Sequence, residues 1–410
     1  MLVLRRYVDV LSRPNVRIPL AGTALASLPI GFLSLSVLLL VGHSRGFGVA
    51  GVVVAGLTCG TGVGIAVQGR LIDRFGLTTV LLSAVAVQVG AAGCLVVSVW
   101  ASAPVGLMLL CAVPTGCGEP QVGAPMRALW TVLLPAEERD AAAAISSLLL
   151  QLSAVVGPLL LAGLLPFAGR GGSVLAAVGM FAIGTFLLVS SRPARRWHPP
   201  VATGRRRVGA LESAGVRVVT AIGAVQGGIG GLVQVAAAAA GATSGDEDIA
   251  LVLYAALATG SLVGTLWYGA RTWRGAVDRR MVIQLGLASL ALVAGSGSMV
   301  VVDRGGFAVA LLTVSLVAVG LATGPVGVTA YAVVERVAPE GSMVAAFTTL
   351  TAAGLTSMAL GTAAAGVVCD QAGPAVTLLL ASGVGLIGIT VLAVSGAGLR
   401  LDPSSHRGAR

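Results

Sequence analysis

The chain has 410 residues, 56% hydrophobic and only 10% charged, with a net charge of +10 and a mean hydropathy of +0.96. A soluble domain of this size needs far more charge to cover its surface, so a soluble globular protein is excluded before any motif is read. All 26 basic residues are Arg, and they sit in short loops between apolar runs; that placement orients a membrane protein and does not make a nucleic-acid surface.

The N-terminal stretch MLVLRRYVDVLSRPNVR leads into an apolar run too long for a signal-peptide core and without a clear cleavage site, so it reads as a first membrane helix. A helix needs about 20 apolar residues to cross the hydrocarbon core. Twelve runs qualify. The first six are 16–41, 46–68, 77–100, 103–124, 141–166 and 172–190, and the second six are 216–241, 249–268, 281–302, 307–334, 343–368 and 374–397. The expectation is an all-α membrane protein: twelve transmembrane helices in two pseudo-symmetric six-helix bundles. The domains are an N-terminal half (1–190), a linker (191–215) and a C-terminal half with a short tail (216–410). The linker stretch Ser191–Ser213 holds three prolines and six Arg and cannot span.

With the N-terminus inside, 23 Arg fall on the inner side and three (Arg45, Arg170 and Arg304) on the outer. Both termini and the linker are therefore expected in the cytoplasm, and the protein in the plasma membrane. Trp100 falls at an outer helix end, and Trp130 and Trp267 near inner ends, where interfacial aromatics belong.

The halves repeat. A shift of 204 residues brings Gly116 onto Gly320, Val122 onto Val326, Gly123 onto Gly327, Ser153 onto Ser357, Gly157 onto Gly361 and Gly169 onto Gly373. Parallel six-helix repeats about an axis along the membrane normal are a transporter architecture. Cys59, Cys94, Cys111, Cys117 and Cys369 show no metal-ligand spacing or disulfide framework and read as buried thiols. No metal or cofactor is expected. His43, His198 and His406 lie in loops and form no cluster, and the G-x-G-x-x-G at Gly383–Gly388 lies inside an apolar run with no strand before it. Enzyme signals are absent.

The loop after the second run reads GRLIDRFG, Gly69 to Gly76. It resembles the signature loop of the major facilitator superfamily, G-x-L-x-D-R-x-G, and the twelve runs, the repeated halves and the basic linker extend the resemblance over the whole chain. The resemblance implies a gating loop made by Gly69, Leu71, Asp73, Arg74 and Gly76. It implies that Asp73 faces the N-terminal end of the eleventh helix, near Gly341 to Met343, where the helix dipole attracts it and shuts an inner gate. In the second half the matching loop is GTLWYGARTWRG, with Gly264 and Leu266 aligned to Gly69 and Leu71 but no acid at the position of Asp73. MRALW at Met126–Trp130, with Arg127 at the inner end of helix 4, and VVGPLL around Gly157 and Pro158 are similar to an exporter branch common in actinobacteria. The Gly157-Pro158 pair resembles part of the helix-5 kink of drug/proton antiporters. Members of that branch carry acids along helix 5 and at the start of helix 11; here those stretches hold Gln151 and no acid.

That departure puts weight on Glu119, the lone acid of the fourth run, in CGEPQVG. Running inward from Pro104, it lies roughly 22 Å along the helix, in the inner part of the membrane. An intramembrane acid is a functional hypothesis by default, and burial that disfavours the charged form makes proton exchange possible. Gly118 and Pro120 interrupt helix 4, and Gly324 and Pro325 interrupt helix 10 at the repeat-related place; paired interruptions point to a transport site or moving gate. The fold that the resemblance implies lines its cavity with helices 1, 4, 7 and 10, which nominates Thr23, Ser27, Glu119, Gln226, Gln234 and Thr323, with Gln151 and Tyr254 beside them. Each can equally be interhelical glue.

The expected function is a secondary transporter that exports a small amphiphilic organic molecule in exchange for protons, as a monomer in the lipid bilayer without nucleic acid. An importer with the same fold, and a membrane sensor or scaffold without transport, are the alternatives.

Overall fold

The computed structural model describes residues 13–196, 213–243, 247–271, 276–301, 306–337 and 343–395. The side chains of Asp73, Arg127 and Gln151 lie outside the described set, as do Gly341 and most of the linker. Every regular element among the described residues is a helix.

The chain forms two compact units, 1–202 and 203–410. In the first, α1 (Pro14–Ser27), a 3-10 turn (Leu28–Gly31) and α2 (Leu33–Arg45) make span 1; α3 (Phe47–Phe75) is span 2 and α4 (Leu77–Trp100) span 3. Span 4 is split into α5 (Val105–Cys117) and α6 (Gly123–Leu133). The run α7 (Ala136–Ser190) holds spans 5 and 6 and reverses at Gly169, whose φ of 64° and ψ of −179° no helix contains. A short α8 (Arg192–Arg196) opens the linker. In the second unit α9 (Ala214–Thr243), α10 (Glu247–Gly269), α11 (Val277–Val301) and α12 (Gly306–Val337) are spans 7 to 10, and α13 (Met343–Ser395) carries spans 11 and 12 around Gly373. Gly373, with φ 85° and ψ 170°, does in one unit what Gly169 does in the other: positive φ is accessible to Gly without a Cβ clash.

Nine helical stretches among the described residues are long and apolar enough to cross a membrane. The halves of span 4 are too short to be among them, and the stretches Val156–Ser190 and Ala346–Ser395 each run across two spans, around Gly169 and Gly373. The protein is therefore an all-α, multi-pass membrane protein with twelve spans. Its outside suits lipid: Val97, Leu110, Ile183, Phe186, Leu290, Val314, Leu360 and Ile387 are exposed on six of the helices.

Glycine sets how closely the helices approach. A Cβ on Gly60 would run into the Val113 carbonyl, one on Gly64 into that of Cys117, and one on Gly116 into that of Leu57, so spans 2 and 4 touch backbone to backbone. The second unit repeats the arrangement with Gly260 on Val317, Gly264 on Leu321 and Gly320 on Leu257. Small residues that let backbones meet are the usual basis of close packing in lipid. These contacts correct one expectation. Spans 4 and 10 keep the shift of 204 residues, but spans 2 and 8 are related by a shift of 200, so Gly69 corresponds to Gly269 and not to Gly264.

Three other expectations change. Trp130 is only 2% exposed, packed inside its unit and not at an interface, whereas Trp100 and Trp267 are exposed. Cys59 and Cys94 are exposed on helix surfaces, where a thiol, being weakly polar, is tolerated by lipid; all five thiols are free. Span 1 is bent by its 3-10 turn at Pro29, which the apolar run did not reveal. The C-terminal end of span 1 is tied across the unit, because the Arg45 guanidinium donates to the carbonyls of Ser102 and Ala103 just before span 4 begins.

Candidate functional site

The break in span 4 covers Gly118 to Val122, and its cause is local. Pro120 has no N–H for the Gly116 carbonyl, and its ring disfavours helical geometry at the preceding residue, Glu119. Glu119 N–H bonds the Gly116 carbonyl at 3.0 Å, one residue short of the α pattern, and Val122 N–H bonds the Pro120 carbonyl at 2.9 Å. Pro125 then removes a second donor just inside α6.

A side chain from span 2 fills the gap. The Gln68 amide nitrogen donates to the carbonyls of Cys117 (2.9 Å) and Glu119 (2.8 Å), and its oxygen accepts from the Gln121 N–H (3.2 Å). Two carbonyls at one end and an N–H at the other fix the orientation of the amide. Gln68 is only 4% exposed. It follows Gly60 and Gly64 at intervals of four residues on α3, so the stripe that brings the backbones together ends in a side chain placed where the facing helix opens.

Thr61, on the same helix, holds the acid. Its hydroxyl lies 3.0 Å from Glu119 Oε2 and 3.2 Å from the Leu57 carbonyl. Among the described residues no charged group pairs with the carboxylate. A threonine has one hydroxyl proton, so it cannot donate to both oxygens at full strength. With Glu119 ionised, the proton is contested. With Glu119 protonated, the acid donates to Thr61 and Thr61 donates to the Leu57 carbonyl, so neither proton is contested. The geometry accepts both charge states and answers a change between them by turning one hydroxyl.

Span 3 closes the far side, where Gly118 lies against the backbone of Ala84 and Gln88. Gln88 is fully buried, with no hydrogen-bond partner for either amide atom. Neither Thr61, Gln68 nor Gln88 was singled out from the sequence, because a polar residue in an apolar run is not by itself informative. The four-residue interval from Gly64 to Gln68 was the available signal.

The repeat-related place in span 10 differs. The helix runs unbroken through Gly324 and Pro325, which overturns the expectation of paired interruptions. Span 4 has Pro114, Pro120 and Pro125, whereas span 10 has Pro325 alone, preceded by Gly324, which has no Cβ to clash with the ring. Gln226 of span 7 donates to the Thr323 carbonyl at 2.6 Å, bringing two of the nominated residues together. At the position of Gln68 stands Tyr268, whose hydroxyl accepts from Arg280 at 2.8 Å.

The other nominated residues are dispersed. Thr23 and Ser27 are buried and donate to carbonyls four residues back in their own helix, and the Thr323 hydroxyl does the same. Gln234 is 1% exposed, without a partner for its amide. Gly157 and Pro158 do not interrupt α7; Gly157 is instead the crossing point with span 1, where a Cβ would meet Gly31 at 2.8 Å. The stretch Gly69–Gly76, expected as a loop, is helical through Phe75 and forms the end of α3, so the turn into span 3 is made at Gly76, with φ 84°; Leu71 is exposed and Arg74 lies 5.2 Å over the Phe75 ring. Arg127 lies in α6. Glycines 383, 385 and 388 lie inside α13, with Gly385 packed on Ser289 and Gly388 on Val225.

The sequence matches no family model and no curated protein. Solved structures share its shape over nearly the whole length. The POT family transporter PepTSo is 12% identical with a TM-score of 0.69, covering 94% of this chain and 98% of that one. A D-xylose-proton symporter is 16% identical with a TM-score of 0.68, over 92% and 95%. The xylose transporter XylE from E. coli, inward open, is 12% identical with a TM-score of 0.67, over 95% and 96%. The chain has the major facilitator fold. At these identities the likeness carries the fold, and the solved proteins that share it are transporters, not enzymes.

Proposed function

We propose that this is a proton-coupled secondary transporter that exports a small amphiphilic organic molecule, with Glu119 as the group that takes up and releases the proton. The observation that carries this reading is the contact between Glu119 and Thr61 at the break of span 4: a lone acid in an opened helix, held by a hydroxyl that accommodates both of its charge states. In the proposal the halves 1–190 and 216–410 rock about the linker 191–215 to give alternating access, with Asp73 and Arg74 of the loop Gly69–Gly76 acting at the inner gate. The termini are cytoplasmic and the protein sits in the plasma membrane as a monomer. The aliphatic character of the spans favours an amphiphilic cargo over a polyanion.

Transport of a panel of fluorescent amphiphilic dyes into inverted membrane vesicles tests this. Acidifying the vesicle interior is expected to drive dye uptake, and a protonophore to abolish it. An importer of a small metabolite is the second reading, favoured by the D-xylose-proton symporter among the solved structures of this fold. It is selected if flux appears only in right-side-out vesicles with an acidic exterior. A sensor or scaffold is selected if no dye or metabolite moves in either orientation.

A further inference from the structure

Span 2 grips Glu119 at two places. Thr61 holds the carboxylate, and two turns further along α3 Gln68 holds the peptide groups on both sides of Pro120. Gln68 is also the residue immediately before Gly69, where the signature stretch Gly69–Gly76 begins: the last turns of α3 and the turn at Gly76. We propose that Gln68 is a positioning residue that transmits the charge state of Glu119 to this end of α3 and its turn. The inference rests on the reading of Glu119 as the proton-carrying group and adds a regulatory link that the reading alone does not contain.

The physical route is short. The Glu119 carbonyl bonds Gln68 and the Glu119 carboxyl bonds Thr61, so a shift of the carboxyl that follows the turning of the Thr61 hydroxyl pulls on a peptide held by Gln68. The Gln68 amide is engaged at both ends, so it cannot follow one partner without straining the other. The last turns of α3, which form the stretch Gly69–Phe75, then move with the break. The second unit supplies a natural comparison: Tyr268 stands where Gln68 would be, is engaged by Arg280, and faces an unbroken span 10.

The groups that titrate or carry charge on the helices packed against α5 are Cys59, Arg70, Asp73 and Arg74 on α3 and Cys94 on α4; span 4 itself has Cys111, Cys117 and Arg127, and the helices packed against α6 add Arg17 on α1, Glu137, Glu138, Arg139, Asp140 and Arg170 on α7, and Arg192, Arg195 and Arg196 on α8. Among the described side chains none of them contacts the Glu119 carboxyl, whose hydrogen-bond partner is Thr61.

Hydrogen exchange followed by mass spectrometry tests the link on the purified full-length protein, without a substrate. Exchange is read in segments 117–123 and 69–76 across a pH series and corrected for intrinsic rates. In the wild type both segments are expected to change protection with the same midpoint. In Glu119→Gln neither should respond. In Gln68→Met, which keeps the length of the side chain and loses its hydrogen bonds, segment 117–123 should still respond while segment 69–76 no longer does. A segment 69–76 that keeps the wild-type midpoint in Gln68→Met overturns the link, as does a uniform loss of protection with both midpoints intact, the mark of a purely structural role. Glu119→Gln that retains the response in both segments overturns the proton reading instead, so the two failures are distinct. If Gln68→Met does not purify as a monodisperse protein, Gln68→Leu takes its place, since it too loses the hydrogen bonds and adds no titrating group.

Discussion

Glu119→Gln is expected to lose proton-driven flux while keeping exchange of dye down its own gradient. The substitution preserves the size of the side chain and leaves an amide able to bond Thr61, so the break in span 4 should persist and the fold should survive. What disappears is the ability to change charge. Coupling between two ligands is a free energy shared between their sites, commonly 1–3 kcal/mol, or about 5- to 150-fold in affinity. Removing one ligand's site removes the whole of that coupling. Uphill dye accumulation should therefore fall by at least about tenfold, and the pH dependence of the remaining flux should flatten. Measurement of dye flux in proteoliposomes at several pH values, with and without a pH gradient, checks both parts. Thr61→Val should act differently: flux stays proton-driven, but its pH midpoint moves, because the partner that adapts to each charge state is gone.

The second large effect is on stability. Gly116→Val should be among the most damaging single changes in the first unit. A Cβ there would overlap the Leu57 carbonyl and crowd the Thr61 N–H, both of them backbone atoms that cannot move without shifting α3 as a whole. Overpacking of a tight contact costs typically about 1–3 kcal/mol, and more where backbone must give way. Gly116→Val should therefore lower the thermal unfolding midpoint in detergent markedly and disturb the Thr61 contact with Glu119 at the same time. Gly320→Val should do the same to the second unit through the Leu257 carbonyl. Gly90→Ala is the control, since nothing lies within 4 Å of its added carbon, and replacing a mid-helix Gly by Ala favours the helix by about 1 kcal/mol.

These sites show what the sequence could and could not disclose. The twelve spans were legible because apolar length is a one-dimensional property, and the pairing of Gly169 with Gly373 at a fixed shift marked two turns with the same backbone geometry. The break at Glu119 was legible too, because proline acts on its immediate neighbours. Equating span 10 with it failed because one proline after a glycine is not equivalent to three prolines around a glutamate. The partners of the break were invisible for a different reason. Thr61 lies 58 residues from Glu119, and Gln68 lies 49 to 53 residues from the span 4 groups it bonds, and their meaning depends on which face of α3 meets span 4. Gly60, Gly64 and Gly116 set that face, and only their contacts showed that spans 2 and 8 are related by 200 residues and not by the shift that fits spans 4 and 10.

The central claim is that Glu119 changes protonation while folded in the membrane, and infrared difference spectroscopy on the protein in lipid tests it without knowledge of the cargo. Lowering the pH is expected to raise a carbonyl band of a protonated carboxylic acid in the wild type. That band should be absent in Glu119→Gln and displaced in Thr61→Val, where the hydrogen bond is gone. A difference spectrum in Glu119→Gln that retains the band at the same position and intensity would contradict the account.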